Sequence, residues 1–409
     1  MILTIQYLED ATDLDQLDEN AVVEKLRRAA EILPITHLLI GWRLPPRLLE
    51  ACRTEAERCG MRFMRWHPLL TGDGSFQPRR PWQVINLHGQ PVRGFHDMPE
   101  FTFVCPNQPA VQDGIQQRIA GLLAEGLYQG FFLDRIRFPS PAAGLLDNLA
   151  CFCPCCIEKA AAGGLDLAQL QRILRSSMQL LVARPGGRRR LVEALLGGDS
   201  YADTGLPDLP RFLAFRRQSV TDFIAALARP LRAAGMEIGL DCFSPCLTGM
   251  VGQDLAAVSP HTDWIKLMSY AHTLGPAGLP FELLGLYDEL TRGAGLDESA
   301  ALACLGQATG LPLPATRQEL ELQGLSPQAL ESELRRGVAA TATVACTAPA
   351  LAGFELVEIA GVAQLNPAQI STGLAAVRRA GVAGLSISWD LRHIPLDRLE
   401  QVKKSLFST

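Results

Sequence analysis

The sequence predicts an α/β fold, a (β/α)₈ TIM barrel with a cysteine-containing helical insertion after the fourth strand. Short β-like runs alternate with helical stretches from one end of the 409 residues to the other, eight such runs can be counted with a helix after each, and acids recur at the ends of the runs. A doubly wound open sheet is the alternative. It lacks its main signature here, because no Gly-rich phosphate turn follows an early strand.

Strand one spans 2–8 and leads to a helix over 21–33, where Val22, Val23, Leu26, Ala29 and Ala30 fall on one face. THLLIGW, ending at Trp42, is strand two, and a helix over 46–60 precedes strand three at 61–67. From 71 to 99 the chain is rich in Gly, Pro, His and Arg without a sustained period, which predicts a long loop over one end of the barrel. A short extra strand at 101–105 and a helix over 111–125 come before strand four, GFFLDRIRFP, 130–139. The insertion, 140–209, holds a cysteine cluster, a helix near 165–183 and a basic linker around GGRRR. A helix over 211–235 restores the alternation and feeds strand five at 236–245, with strand six, DWIKLMSYA, at 263–271. After a less regular region, a helix over 327–340 precedes strand seven, GFELVEIAG, at 353–361. The helix 367–381, strand eight at 384–391 and a helix over 396–406 complete the pattern. Residues 1–409 are thus expected to form one barrel domain, with 140–209 inserted in it.

With 48% hydrophobic and 20% charged residues, the composition is that of a globular protein with a large core. A net charge of −5 and a pI near 5.9 argue against a nucleic-acid partner, which would need a basic face. A carbohydrate or other small molecule is the expected partner. The start, MILTIQYLEDATDLDQLDEN, has neither a basic region nor a long apolar run, and no stretch of about 20 apolar residues occurs anywhere. No membrane association is expected, and a cytoplasmic location is the default. Oligomeric state is left open.

Of eleven cysteines, Cys151, Cys153, Cys155 and Cys156 crowd together. In a reducing compartment such crowding points to metal more than to disulfides. Cys151, Cys153 and Cys156 make a C-x-C-x-x-C, and zinc wants a fourth ligand, for which Cys105 in FVCPNQP is the candidate. Free buried thiols are the alternative. The arrangement resembles that of family-42 β-galactosidases and related barrel glycosidases, which hold zinc on one cysteine before strand four and a C-x-C-x-x-C after it. The resemblance covers Cys105 with Pro106 and Asn107, and Cys151, Cys153 and Cys156; Cys155 has no place in it. It implies a structural Zn²⁺ that braces the insertion and takes no part in chemistry. GFFLDRIRFP likewise resembles the strand-four motif of glycoside-hydrolase-like barrels, and DWIKLMSYA their sixth strand. One departure stands out. Those enzymes place Asn-Glu at the end of strand four, whereas Leu133 precedes Asp134 here, so their acid/nucleophile pair does not carry over.

In barrels, catalytic groups sit at the C-terminal ends of strands. Asp134, Asp241, Glu358 and Asp390 meet that condition, although each alone is equally explained as a loop anchor or ion-pair partner. Glu355 and Glu358 must face opposite sides of strand seven, and Glu358 lies nearer its C-terminal end. Lys266 shares strand parity with Met268 and Tyr270, while Asp390 shares a face with Ser386 and Ser388. Arg65, His67, Arg137, Lys266, Tyr270 and Trp389 are the candidate substrate-binding residues, with Trp42, Trp66 and Trp82 as further aromatic faces or simply core. No H-x-H, H-E-x-x-H or G-x-S-x-G occurs. The expected chemistry is cleavage of a glycosidic bond by paired carboxylates, with Asp134 at its centre. Two alternatives remain: a barrel that binds carbohydrate or protein without catalysis, and a class I aldolase using Lys266 as a Schiff-base lysine.

Overall fold

The computed structural model describes residues 1–9, 13–72, 79–94, 101–140, 144–146, 148–197, 206, 208–342 and 348–407. Eight parallel strands close into a barrel in chain order: β1 (Ile2–Tyr7), β2 (His37–Ile40), β3 (Arg62–Pro68), β4 (Gly130–Asp134), β5 (Glu237–Phe243), β6 (Trp264–Met268), β7 (Ala350–Glu355) and β8 (Gly384–Ser388). Closure is made by β8 pairing with β1, Ile2 opposite Gly384 and Thr4 opposite Ser386. A closed parallel sheet covered by helices buries both faces of each strand, and HLLI, GFFLD and WIKLM are indeed buried at every position.

The interior is layered. Leu39, Met64, Phe132, Trp264 and Leu351 form one apolar cluster, in which Phe132 stacks on Trp264 with ring centroids 5.4 Å apart. At the N-terminal end of the barrel, the carboxylate of Glu237 accepts from Trp264 Nε1 at 2.8 Å, meets His37 Nε2 at 2.9 Å, and pairs with Arg62. That network holds the large indole in place, and Gly239 makes room for it. A Cβ at Gly239 would lie 2.3 Å from the Trp264 ring. Toward the C-terminal ends the interior becomes polar, with Gln6, Asp241, Lys266 and Ser388 all buried.

Several expected boundaries move. β4 stops at Asp134, because Arg135 adopts a left-handed backbone (φ 55°) and turns the chain out of the sheet. β7 begins three residues earlier than its most strand-like run and ends at Glu355. Its first half, Ala-Leu-Ala-Gly, has little strand propensity, and at Gly353 crowding requires it: a Cβ there would meet Leu267 O at 2.6 Å and Lys266 Cε at 3.0 Å. Beyond Glu355 the chain leaves the ladder, with Leu356 N donating to Ser388 O and Glu358 N to His393 O. The expected strand at 101–105 is reduced to isolated bridges, Thr71 to Phe103 and Gln83 to Val104.

The insertion is more helical than its composition suggests, with Pro154–Ala162, Leu167–Val182 and, in place of the basic linker, Gly187–Leu195. The less regular region after β6 contains helices Leu279–Ala294, Glu298–Thr309 and Arg317–Gln323. Among the described residues, no helix is long and apolar enough to cross a membrane.

Gly239→Ala should destabilise the protein by about 1–3 kcal/mol, the usual cost of overpacking a filled core. Urea denaturation would measure it, and unchanged stability would mean that the Trp264 layer yields freely.

Candidate active site

A cleft opens at the C-terminal end of the barrel, and its walls include Asp134 from β4, Asp241 from β5, Lys266 and Met268 from β6, Gln6 from β1, and Trp389 just past β8. Convergence follows from parity: inward-facing residues alternate along each strand, so Phe132 and Asp134, Gly239 and Asp241, and Lys266 and Met268 share one side.

Asp134 is 7% exposed and held by two donors. Trp66 Nε1 donates to Oδ2 at 3.0 Å, and the backbone N–H of Arg135 donates to Oδ1 at 2.5 Å. Arg135 itself adopts a left-handed backbone, a state that costs on the order of 1 kcal/mol for a residue other than glycine. Leu8, at the end of β1, and Ala277, in the cleft wall, are the other described non-glycine residues with positive φ. Backbone strain therefore gathers at this end of the barrel.

Asp241 lies deeper. Lys266 Nζ, fully buried, donates to Asp241 Oδ2 at 2.9 Å and to Gln6 Oε1 at 2.8 Å, and its charge faces the Phe132 and Tyr270 rings at 5.2 and 5.4 Å. Burial opposes the ammonium, but the Asp241 carboxylate beside it holds its pKa above the ordinary lysine value. Burial, reinforced by the charge of Asp134, pushes the Asp241 carboxyl up to about 7 against the pull of Lys266. Asp241 Oδ1 and Gln6 Nε2 are buried without a hydrogen-bond partner. Unpaired polar atoms at a cleft wall are what a hydroxylated ligand would satisfy.

Of the residues singled out in the sequence, Asp134, Asp241, Arg137, Lys266, Tyr270 and Trp389 meet at this cleft. Four others do not. Glu358 lies beyond the end of β7 with its side chain half exposed, 3.6 Å from Arg398, and Glu355 is the strand-seven glutamate that ends up buried. The Glu355 carboxylate accepts from His272 N at 2.6 Å, and burial pushes its pKa up to about 8. Asp390 anchors a loop, accepting backbone N–H groups from Leu8, Glu9 and Arg392. Arg65 and His67 point outward to the helical layer: Arg65 donates to Tyr128 Oη and Trp42 O, both at 3.0 Å, and to His67 Nδ1 at 3.3 Å. Their strand neighbour Trp66 faces the cleft instead. The buried, paired ammonium of Lys266 also argues against the aldolase reading, since a Schiff-base lysine needs a lowered pKa. Gln6 and Glu9 also line the cleft, and the polar glutamine inside the apolar run ILTIQY is the sequence signal for the first of them.

Away from the cleft, the sulfurs of Cys105, Cys151, Cys153 and Cys156 lie within 4.8 Å of one another, all buried. Cys105 Sγ is 3.3 Å from Cys156 and 3.6 Å from Cys153. Metal–thiolate bonds of about 2.3 Å in a tetrahedron separate sulfurs by about 3.8 Å, so the four fit one ion. N–H donors from Ile85, Asn107 and the Asn107 side chain point at these sulfurs at 3.3–3.4 Å, as thiolate ligands require. The cluster can therefore hold a metal ion. Cys155 stands outside it, near Gln108 Oε1.

The sequence matches no protein-family model and no curated protein. In fold the chain is similar to the PgaB (BpsB) glycoside hydrolase domain from Bordetella bronchiseptica, with 13% identity and a TM-score of 0.54 over 100% of this chain and 99% of that one. It is similar to the β-galactosidase from the psychrophilic Marinomonas ef1 at 12% identity and a TM-score of 0.56, covering 98% of this chain but only 58% of the other. A class V chitinase from Pseudomonas fluorescens Pf-5 aligns at 11% identity and a TM-score of 0.51, with 99% of each chain covered. At these identities the likeness establishes a shared barrel.

The Asp241 pKa sets a pH dependence of stability. Its folded value near 7 lies above the unfolded value of about 3.9, so the folded state holds the extra proton and stability falls as pH rises from about 4 through 7. In Asp241→Asn that decline should shrink, as read from urea unfolding at pH 4.5 and 7.5. An unchanged slope would assign it to other groups.

Proposed function

We propose that the protein is a glycoside hydrolase working with Asp134 and Asp241. The observation that carries this reading is the pairing of two inward carboxyl groups, on adjacent strands of one open cleft, whose surroundings treat them differently. Asp134 accepts one hydrogen bond on each carboxylate oxygen, from Trp66 Nε1 and the Arg135 backbone. Asp241, pushed up to about 7, can keep a proton on Oδ1, the oxygen without a partner. Two carboxyl groups with separated roles are the minimum for this chemistry.

In this mechanism Asp241 gives its proton to the glycosidic oxygen as the C–O bond breaks, while Asp134 forms a bond to the anomeric carbon. Water then replaces Asp134 and returns a proton to Asp241. Adjacent strands lie about 4.8 Å apart, which favours the short carboxylate separation of retaining enzymes. Trp389 and Tyr270, with ring centroids 6.2 Å apart, offer faces for a sugar ring. The barrel similarity to the three carbohydrate-related hydrolases supports the reading by analogy.

The four-cysteine cluster is proposed to bind zinc in a closed structural site, in line with its resemblance to the family-42 arrangement. Bound zinc would contribute folding free energy and no catalytic step.

Hydrolysis of a panel of aryl glycosides should be detectable in the wild type and reduced at least about a hundredfold in Asp134→Asn with folding intact. Activity should also fall as pH rises through about 7, where Asp241 loses its proton. A fully active Asp134→Asn would overturn the reading. Cys151→Ser should lose bound zinc and thermal stability together, measured by elemental analysis and thermal unfolding. A wild-type protein without metal and a variant of unchanged stability would remove zinc from the account.

A further inference from the structure

Beside the cleft lies a second depression that shares Phe101, Arg137 and Pro276 with it and adds Arg93, Asn148 and Glu282. Its chemistry is one-sided. Arg137 is 5% exposed and stacked between Phe103 and Phe243, 4.7 and 4.4 Å from the ring centroids. Among the described residues its one hydrogen bond is from Nη1 to Phe138 O at 3.2 Å, and no carboxylate forms an ion pair with it. Asn148 is 6% exposed and its Nδ2 is buried without an acceptor. The single acid in the wall, Glu282, is already occupied: Ser140 Oγ donates to Oε2, and Ala277 N donates to Oε1 at 2.9 Å.

A guanidinium kept away from water between two aromatic rings, with most of its donors unused, needs an anionic acceptor to offset its desolvation. An unpaired amide donor in the same wall needs an acceptor too. Glu282, Asp134 and Asp241 act on this charge only through space, whereas a substrate carboxylate would match the planar fork of arginine with two parallel hydrogen bonds. On this basis, and resting on the glycoside-hydrolase reading above, we propose that the side depression is a subsite for an acidic sugar, with the substrate carboxylate held by Arg137 and Asn148 while the scissile bond lies over Asp134 and Asp241. The substrate class is then a uronate-containing glycan.

The test uses binding, so that it does not depend on turnover. Methyl glycosides of glucuronic and galacturonic acid, and their glucose and galactose counterparts, are titrated by calorimetry into the full-length Asp134→Asn protein. At least one uronide is expected to bind tenfold or more tightly than its neutral counterpart. Adding Arg137→Met should abolish that preference, and Arg137→Lys should retain part of it. Asn148→Asp, which places a negative charge in the depression and leaves the arginine stack intact, should also abolish it and serves if Arg137→Met does not fold. Equal binding of neutral and acidic sugars would overturn the subsite and leave the glycosidase reading standing. Binding of no sugar of either kind would overturn both.

Discussion

The buried ammonium of Lys266 is the constraint around which the upper half of the barrel is organised. A charge with no exposure survives only if paired and hydrogen-bonded, and Asp241 on the adjacent β5 and Gln6 on β1 across the barrel meet that need. Each solution imposes another. Gln6 must be oriented, and Ser388 Oγ donates to the same Oε1 at 3.0 Å. The lysine stem needs room, and Gly353 supplies it. Asp241 is fixed by one oxygen only, which leaves Oδ1 as the point where the interior network ends and the cleft begins. Burial raises the Asp241 carboxyl at the cleft floor even though the lysine it pairs with pulls the other way.

The same logic explains why part of the site could be read from the sequence. An aspartate in GFFLDRIRFP and a lysine in DWIKLMSYA interrupt apolar runs that must be buried on both faces, so each needed a partner and a reason. Parity then sorted Lys266, Met268 and Tyr270 correctly. It failed on β3, where Arg65 and His67 resemble inward polar residues in RFMRWHP. The interior at that level is aromatic, and the helical layer offers Tyr128 Oη and Trp42 O as acceptors, so polarity alone does not identify the face. On β7 the strand was hidden for the opposite reason. Gly353 has no room for a side chain beside Lys266, so the run looks least like a strand where it packs most tightly, and the strand ends at Glu355, before Glu358.

Asp390 shows what sequence position cannot distinguish. It stands at the end of a barrel strand, as a catalytic acid would, yet Leu8, Glu9 and Arg392 direct backbone N–H groups at it. A strand-end carboxylate can serve the cleft or hold together the loops that frame it. Only the donors around it decide, and two of the three, Leu8 and Glu9, come from residues more than 380 positions away.

The cysteine cluster belongs to the same framing. Cys105 follows Phe101 and Phe103, which face the cleft and the side depression, and Cys151 follows Asn148. Ile85, whose N–H points at Cys151, lies in the segment that leads on to Arg93. An ion bound by the four sulfurs would therefore fasten, at one point, three segments that otherwise lack regular structure and that supply the donor-rich wall. Loops of this kind have few backbone ladders to hold them. A metal can remain wholly outside the chemistry and still decide whether the depression beside the cleft keeps its shape.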